Sequence, residues 1–115
     1  MTTSGYQLAT STWDEAEYDA LQRVIASGRF TMGPLVKEFE AAFAAHFGSA
    51  FGVMVNSGSS ANLIAISAAV LDPRLDLNRG DEVIVPAVSW ATTYYPLTQN
   101  GLRPRFVDIN VDTLN

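Results

Sequence analysis

The stretch Asn56-Ser57-Gly58-Ser59-Ser60-Ala61-Asn62 lies between an apolar run, Phe51 to Val55, and a second, helix-favouring apolar run, Leu63 to Leu71. A short apolar run bounded by turn residues reads as a strand buried on both faces. The run Ser59 to Leu71 offers only Ser60, Asn62 and Ser67 as polar positions and reads as a helix buried nearly all round, ended by Asp72-Pro73. A strand that empties through a small, hydroxyl-rich turn into a helix gathers unpaired backbone N–H groups and a positive dipole end at one point. Such a point suits a phosphate. Ser and Gly are equally the ordinary vocabulary of turns and helix caps, so the pattern alone leaves both readings open. It is not a Walker A loop, since no Lys follows the glycine, and it has one Gly where the dinucleotide fingerprint needs three.

Upstream, Thr12-Trp13-Asp14-Glu15 has capping-box spacing, with Thr12 as N-cap and Glu15 three residues on. Trp13, Ala16, Ala20, Leu21, Val24 and Ile25 follow at helical intervals, and Ser27-Gly28 closes the helix. After the connection Arg29 to Gly33, Pro34 suits the first turn of a second helix, with Leu35, Phe39, Ala42, Phe43 and Phe47 on one face and Gly48 as its stop. Downstream, Glu82 to Pro86 reads as a strand, Ser89 to Asn100 as a helix closed by Gly101, and Pro104 to Ile109 as a third strand. Two leading helices followed by strand, helix, strand, helix, strand predict an α/β fold with a mostly parallel sheet. Three strands with few covering helices leave an open edge at the end of the sequence, the pattern of a chain cut short.

The chain has 115 residues, 48% hydrophobic and 17% charged, which is globular composition of single-domain size. The net charge of −5 and the scatter of the arginines argue against a nucleic-acid partner. No cysteine is present, so disulfides and thiolate-bound metal are excluded within this segment, which fits a reducing compartment, with the cytoplasm as the default. Met1 to Thr12 lacks a basic region followed by an apolar core, and no apolar run approaches the roughly 20 residues that span a bilayer. Lys37 is the only lysine, placed between the apolar rows of the second helix. His46 is lone and near a helix end, where a favourable interaction with the C-terminal dipole is expected and neither catalysis nor metal binding is.

Trp90 follows the second expected strand, at the carboxyl end where open α/β sheets place their ligands. An aromatic there can stack on a flat heterocycle or fill the core.

Four stretches together resemble the amino-terminal portion of the DegT/StrS family of nucleotide-sugar aminotransferases. They are Gly33 to Glu40, Val55 to Leu63, Gly80 to Pro86 with Trp90-Ala91-Thr92, and Asn100 to Ile109. The similarity runs from about Trp13 to Asn115, with the motifs in the family's order. It implies the pyridoxal 5′-phosphate-dependent fold-type-I scaffold, three-layered with a mostly parallel sheet. Residues 1–115 would form part of the large, cofactor-binding domain, without the small C-terminal domain. The resemblance places the cofactor phosphate on Gly58 and Ser59, with Ser57 and Ser60 shaping the turn and Trp90 stacking on the pyridine ring. The loop Arg29 to Gly33 resembles a segment near the active site at a dimer interface.

Three of the family's parts are expected outside this sequence: the Asp that pairs with the pyridine nitrogen, the Lys that holds the cofactor covalently, and the small domain. Asp108 and Lys37 are read as structural, and no catalytic residue is assigned. The resemblance implies a homodimer that moves an amino group from an amino acid, typically glutamate, to a keto sugar nucleotide, in the making of surface polysaccharides or secondary metabolites. A minority of the family carries His in place of that Lys and acts as sugar 3-dehydratases using pyridoxamine 5′-phosphate. Ser59 to Leu63 and Leu97 to Leu102 lean toward that group's wording, while aminotransferase is the commoner activity. A third reading is a non-catalytic remnant. The segment alone, lacking the Lys, is expected to be inactive.

Overall fold

In the computed structural model, which describes residues 10–113, the chain divides into two units, residues 1–52 and 53–115. Most of Met1 to Thr12, for which the sequence predicts no targeting signal, lies outside the described residues, as do Leu114 and Asn115.

The first unit holds α1 (Glu15–Ser27) and α2 (Pro34–Phe47). The cap of α1 is Asp14, two residues beyond the expected Thr12. Its Oδ1 accepts from the Ala16 N–H at 2.8 Å, and its own N–H donates to Glu17 Oε2 at 2.8 Å. A carboxylate is the stronger cap, and Glu17 stands where a reciprocal bond can close, so the box forms one notch further on. Gly28 and Gly48 end the two helices in the left-handed conformation, and Pro34 opens the second, all as expected. Phe39, Phe43 and Phe47 recur every fourth residue and make a ladder of rings, with centroids 5.6 and 4.6 Å apart.

The second unit runs α3 (Gly58–Leu71), β1 (Glu82–Pro86), a 3₁₀ turn (Ala91–Thr93), α4 (Tyr95–Gln99) and β2 (Arg103–Val107). β1 and β2 pair in parallel, Glu82 opposite Arg103 and Pro86 opposite Val107. The α/β class with a parallel sheet is therefore the observed one. Side chains alternate across the ribbon, so Val85 is buried while Ile84 is exposed. Val85, Leu97 and Leu102 form the core, with Ile66, Val70, Leu77, Val83 and Tyr94 packed around them. Gly101, at φ +81, makes the turn into β2, and a side chain there would meet the Arg79 guanidinium at 2.9 Å.

Three expectations are corrected. Phe51 to Val55 is not a strand: among the described residues the sheet has two strands, and Phe51 and Val53 are exposed. A central strand needs a ladder partner on each edge, and neither β1 nor β2 supplies one. α3 buries none of its residues completely, so its apolar surface is only partly used, through Ile66 and Val70. The helix expected over Ser89 to Asn100 splits into the 3₁₀ turn and α4, because Pro96 cannot donate to residue 92 and is tolerated only in a first turn.

Candidate active site

Ser57, in extended conformation, is the N-cap of α3. Its Oγ accepts from the Ser60 N–H at 3.2 Å and donates to Ser60 Oγ at 3.2 Å, while the Ser57 carbonyl accepts from the Ala61 N–H at 3.0 Å. Those bonds use the donors of Ser60 and Ala61. The N–H groups of Gly58 and Ser59, the first two of the helix, have no partner among the described residues. All four residues at this turn, Ser57, Gly58, Ser59 and Ser60, thus divide into two that close the cap and two whose amides point out of it.

The two long capped helices treat their positive ends differently. α1 carries its own anions, with the Asp14 cap and Glu15 and Glu17 in the first turn. α3 has a neutral serine cap and no acidic residue in its first turn, so its dipole end is left without a counter-charge. Gly58 strengthens the contrast. A Cβ built there meets nothing within 4 Å, and its φ lies outside the left-handed region, so neither crowding nor backbone strain demands glycine. What the missing side chain preserves is open space at the mouth of the helix, since Cβ atoms tilt toward a helix N-terminus.

Trp90 stands four residues beyond β1 and is the N-cap residue of the 3₁₀ turn, with 72% of its surface exposed. It is not a core tryptophan. The loop that carries it is held at its base: the Ala87 N–H donates to the Val107 carbonyl at 2.8 Å, and the Tyr94 hydroxyl donates to the Pro86 carbonyl at 3.1 Å. Tyr94 is fixed in turn by an edge-on contact with Phe106, centroids 5.0 Å apart. Within the loop, the Ser89 and Thr93 hydroxyls lie 2.9 Å apart.

Asn62 joins the two parts. Its Nδ2 donates to the Thr92 carbonyl at 3.3 Å, connecting the first turns of α3 to the Trp90 loop. Ser59, Ser60 and Leu63 then share a hollow of about 200 Å³ with Thr92, Tyr95, Pro96 and Gln99. Sequence reasoning passed over Asn62. The available signal was its spacing, four residues from Gly58 and so on the same helical face.

Other expected positions lie apart from this turn in their roles. Asp108 follows β2 and accepts from the Ile109 N–H at 2.9 Å, a local turn bond. His46 ends α2 with its ring edge-on to Phe47 at 4.9 Å. Lys37 lies in the first turn of α2. Among the described residues no group of three or more His, Cys, Asp or Glu is placed to hold a metal, and no helix is long and apolar enough to cross a membrane.

Among known proteins, a sugar 3-dehydratase is more similar to this chain than a sugar aminotransferase is. A GDP-4-keto-6-deoxy-D-mannose 3-dehydratase of Escherichia coli O55:H7 is 58% identical over 110 residues, 96% of this chain and 28% of that protein. A dTDP-4-dehydro-2,3,6-trideoxy-D-glucose 4-aminotransferase of Saccharopolyspora spinosa is 36% identical over 101 residues, 86% of this chain and 25% of that one. The chain thus spans about a quarter of the length of such relatives. A solved E. coli GDP-4-keto-6-deoxy-D-mannose-3-dehydratase with bound hydrated PLP superposes with a TM-score of 0.87 at 58% identity, over 96% of this chain and 28% of that one. Residues 11–115 match the DegT/DnrJ/EryC1/StrS aminotransferase family, and the chain belongs to that family.

Proposed function

We propose that this chain forms the cofactor-phosphate and ring-binding part of a nucleotide-sugar 3-dehydratase that uses pyridoxal or pyridoxamine 5′-phosphate. The observation that carries the reading is the mouth of α3: a neutral cap, no acidic side chain, and the Gly58 and Ser59 N–H groups uncommitted. The donor set fits a phosphate ester, which asks for convergent N–H donors and a positive dipole end rather than a carboxylate. Ser57 and Ser60 hold the turn in shape, and the Ser59 hydroxyl adds a further donor. Trp90, exposed at the carboxyl end of β1, supplies a flat face for the pyridine ring.

When bound, the cofactor supplies an electron sink for bond breaking next to its nitrogen. The chain's own residues bind and orient it, while a base for moving protons is not assigned to any of them. In this reading residues 1–115 belong to a large cofactor-binding domain, and the substrate is a nucleotide-linked keto sugar. The 58% identity to a dehydratase, against 36% to an aminotransferase, favours loss of the 3-hydroxyl over amino transfer. The resemblance to the family supports a homodimer working in the cytoplasm.

Two experiments test this. Titration of the chain with pyridoxamine 5′-phosphate, which lacks the aldehyde that would react with Lys37, should shift the ¹⁵N amide resonances of Gly58 and Ser59 first and furthest. Shifts spread elsewhere would remove the cradle. Replacing the matching segment of the E. coli dehydratase by residues 11–113 should leave a working 3-dehydratase. A folded hybrid that binds no cofactor would favour the remnant.

A further inference from the structure

The loop that carries Trp90 has few means of keeping the indole in one place. Trp90 itself is exposed, and the bonds at Ala87, Ser89, Thr93 and Tyr94 tie the loop only to itself and to the sheet. They fix its base, and Tyr94 packs with Ile66 and Val70 of α3 around the core, so what is left to set is the orientation of the exposed indole at the tip. Among the described residues, one hydrogen bond connects that loop with the first two turns of α3, from Asn62 Nδ2 to the Thr92 carbonyl.

Asn62 is an uncommon choice for that position. It is exposed, so the core does not need it, and asparagine is among the poorer residues for a helix interior. Its spacing explains it better. Four residues from Gly58 and three from Ser59, it sits one turn, about 5.4 Å, along the face that begins with the two uncommitted amides. Thr92 is two residues from Trp90 and lies inside the 3₁₀ turn that Trp90 caps, closed by the Thr93 N–H donating to the Trp90 carbonyl at 2.9 Å. A displacement of Thr92 therefore moves Trp90 with it.

We infer that Asn62 is a positioning residue that sets the height and tilt of the Trp90 indole above the Gly58–Ser59 phosphate cradle, by gripping the Thr92 carbonyl. The inference rests on the cofactor reading for what the indole covers, but the grip itself is a property of the chain without ligand. Asn62 touches neither the phosphate nor the ring. It acts through the loop.

The test uses the whole chain with Trp13→Phe, which leaves Trp90 as the only tryptophan. Asn62→Leu removes the donor and improves helix propensity, and Asn62→Asp keeps the shape but has no N–H to give. Without ligand, time-resolved fluorescence anisotropy of Trp90 should show a faster, wider indole motion in both variants. With pyridoxamine 5′-phosphate, affinity of Asn62→Leu should fall about two- to tenfold, the range of one neutral hydrogen bond. Quenching of Trp90 at saturation should fall as well, while inorganic phosphate, read by the Gly58 and Ser59 amide resonances, should bind to the uncharged Asn62→Leu variant as before.

Unchanged anisotropy in Asn62→Asp, with the chain folded by circular dichroism, would overturn the inference. Loss of inorganic phosphate binding in Asn62→Leu along with the cofactor would overturn it too, by making Asn62 part of the cradle. If the parent chain binds no pyridoxamine 5′-phosphate while Trp90 is loosened in both variants, the cofactor reading fails and the grip of Asn62 on the loop stands.

Discussion

Replacing Gly58 by Asp should move stability and ligand binding in opposite directions. A Cβ at Gly58 meets no protein atom within 4 Å, and the backbone there is not left-handed, so the side chain is accommodated without strain. α3 has no acidic residue in its first turn, and a carboxylate there interacts favourably with the helix dipole by about 0.3–1 kcal/mol. The folded chain should gain that much. A cofactor phosphate with nearly two negative charges, held about 5 Å from the new carboxylate, meets a repulsion of about 1.7 kcal/mol at the dielectric constant of water and about 6.6 kcal/mol at an effective value of 20. The turn is exposed, so the lower figure governs, and it corresponds to roughly a fifteenfold loss of affinity. Urea unfolding read by circular dichroism gives the first quantity, and titration with pyridoxamine 5′-phosphate read by Trp90 fluorescence gives the second. Gly58→Asn, of the same shape without the charge, should lose less. Undiminished binding in Gly58→Asp would refute the reasoning, and equal losses in both variants would replace charge by simple obstruction.

Leu97, only 2% exposed, packs against Val85 and Leu102, so Leu97→Ala should cost about 2–4 kcal/mol in urea unfolding. A cost under about 1 kcal/mol would mean that this cluster is not the core of the second unit. Asp14→Ala should cost about 1 kcal/mol through loss of the cap on α1, whereas Thr12→Ala should cost almost nothing. Equal effects in thermal unfolding would restore the cap to Thr12. At the end of α3 the Arg74 guanidinium, 2.6 Å from Asp72, and then the Arg74 N–H hold the Asp72 carboxyl below its ordinary value of 3.8. Because the folded value is the lower one, this contribution to stability is present above about pH 4 and is lost as pH falls through the depressed value. A carboxyl NMR titration of Arg74→Ala should return Asp72 toward its ordinary range, and no change would assign the depression to another cause.

Features written in short stretches of sequence were legible. Gly28 and Gly48 stop their helices, Pro34 opens one, and Glu82 to Pro86 is a strand with the same limits as expected, because each depends on neighbours within a few residues. The cap of α1 was misplaced among Thr12, Asp14 and Glu15 because two overlapping boxes compete there, and the carboxylate wins. Pro96 stood in plain view in the stretch Ser89 to Asn100, yet its effect depends on whether it falls inside a helix or at a new start. Phe51 to Val55 has the composition of a strand, but a strand exists only through partners, which the described sheet of β1 and β2 does not give it.

The site divides in the same way. The serine cap and the uncommitted Gly58 and Ser59 amides follow from a local pattern of small residues ahead of a helix. Trp90 could be core or surface by composition, and its exposure decides for the surface. Asn62 was not legible, since its partner is 30 residues away and is a backbone carbonyl, which no side-chain pattern announces. The ranking of dehydratase over aminotransferase rests on identity to relatives and not on any single residue of this chain.

A crystal structure of this chain grown with pyridoxamine 5′-phosphate tests the central claim most directly. The expected result is a phosphate within hydrogen-bonding distance of the Gly58 and Ser59 nitrogens and a pyridine ring lying flat against Trp90. A phosphate bound anywhere else, with the mouth of α3 facing only water, would contradict the account.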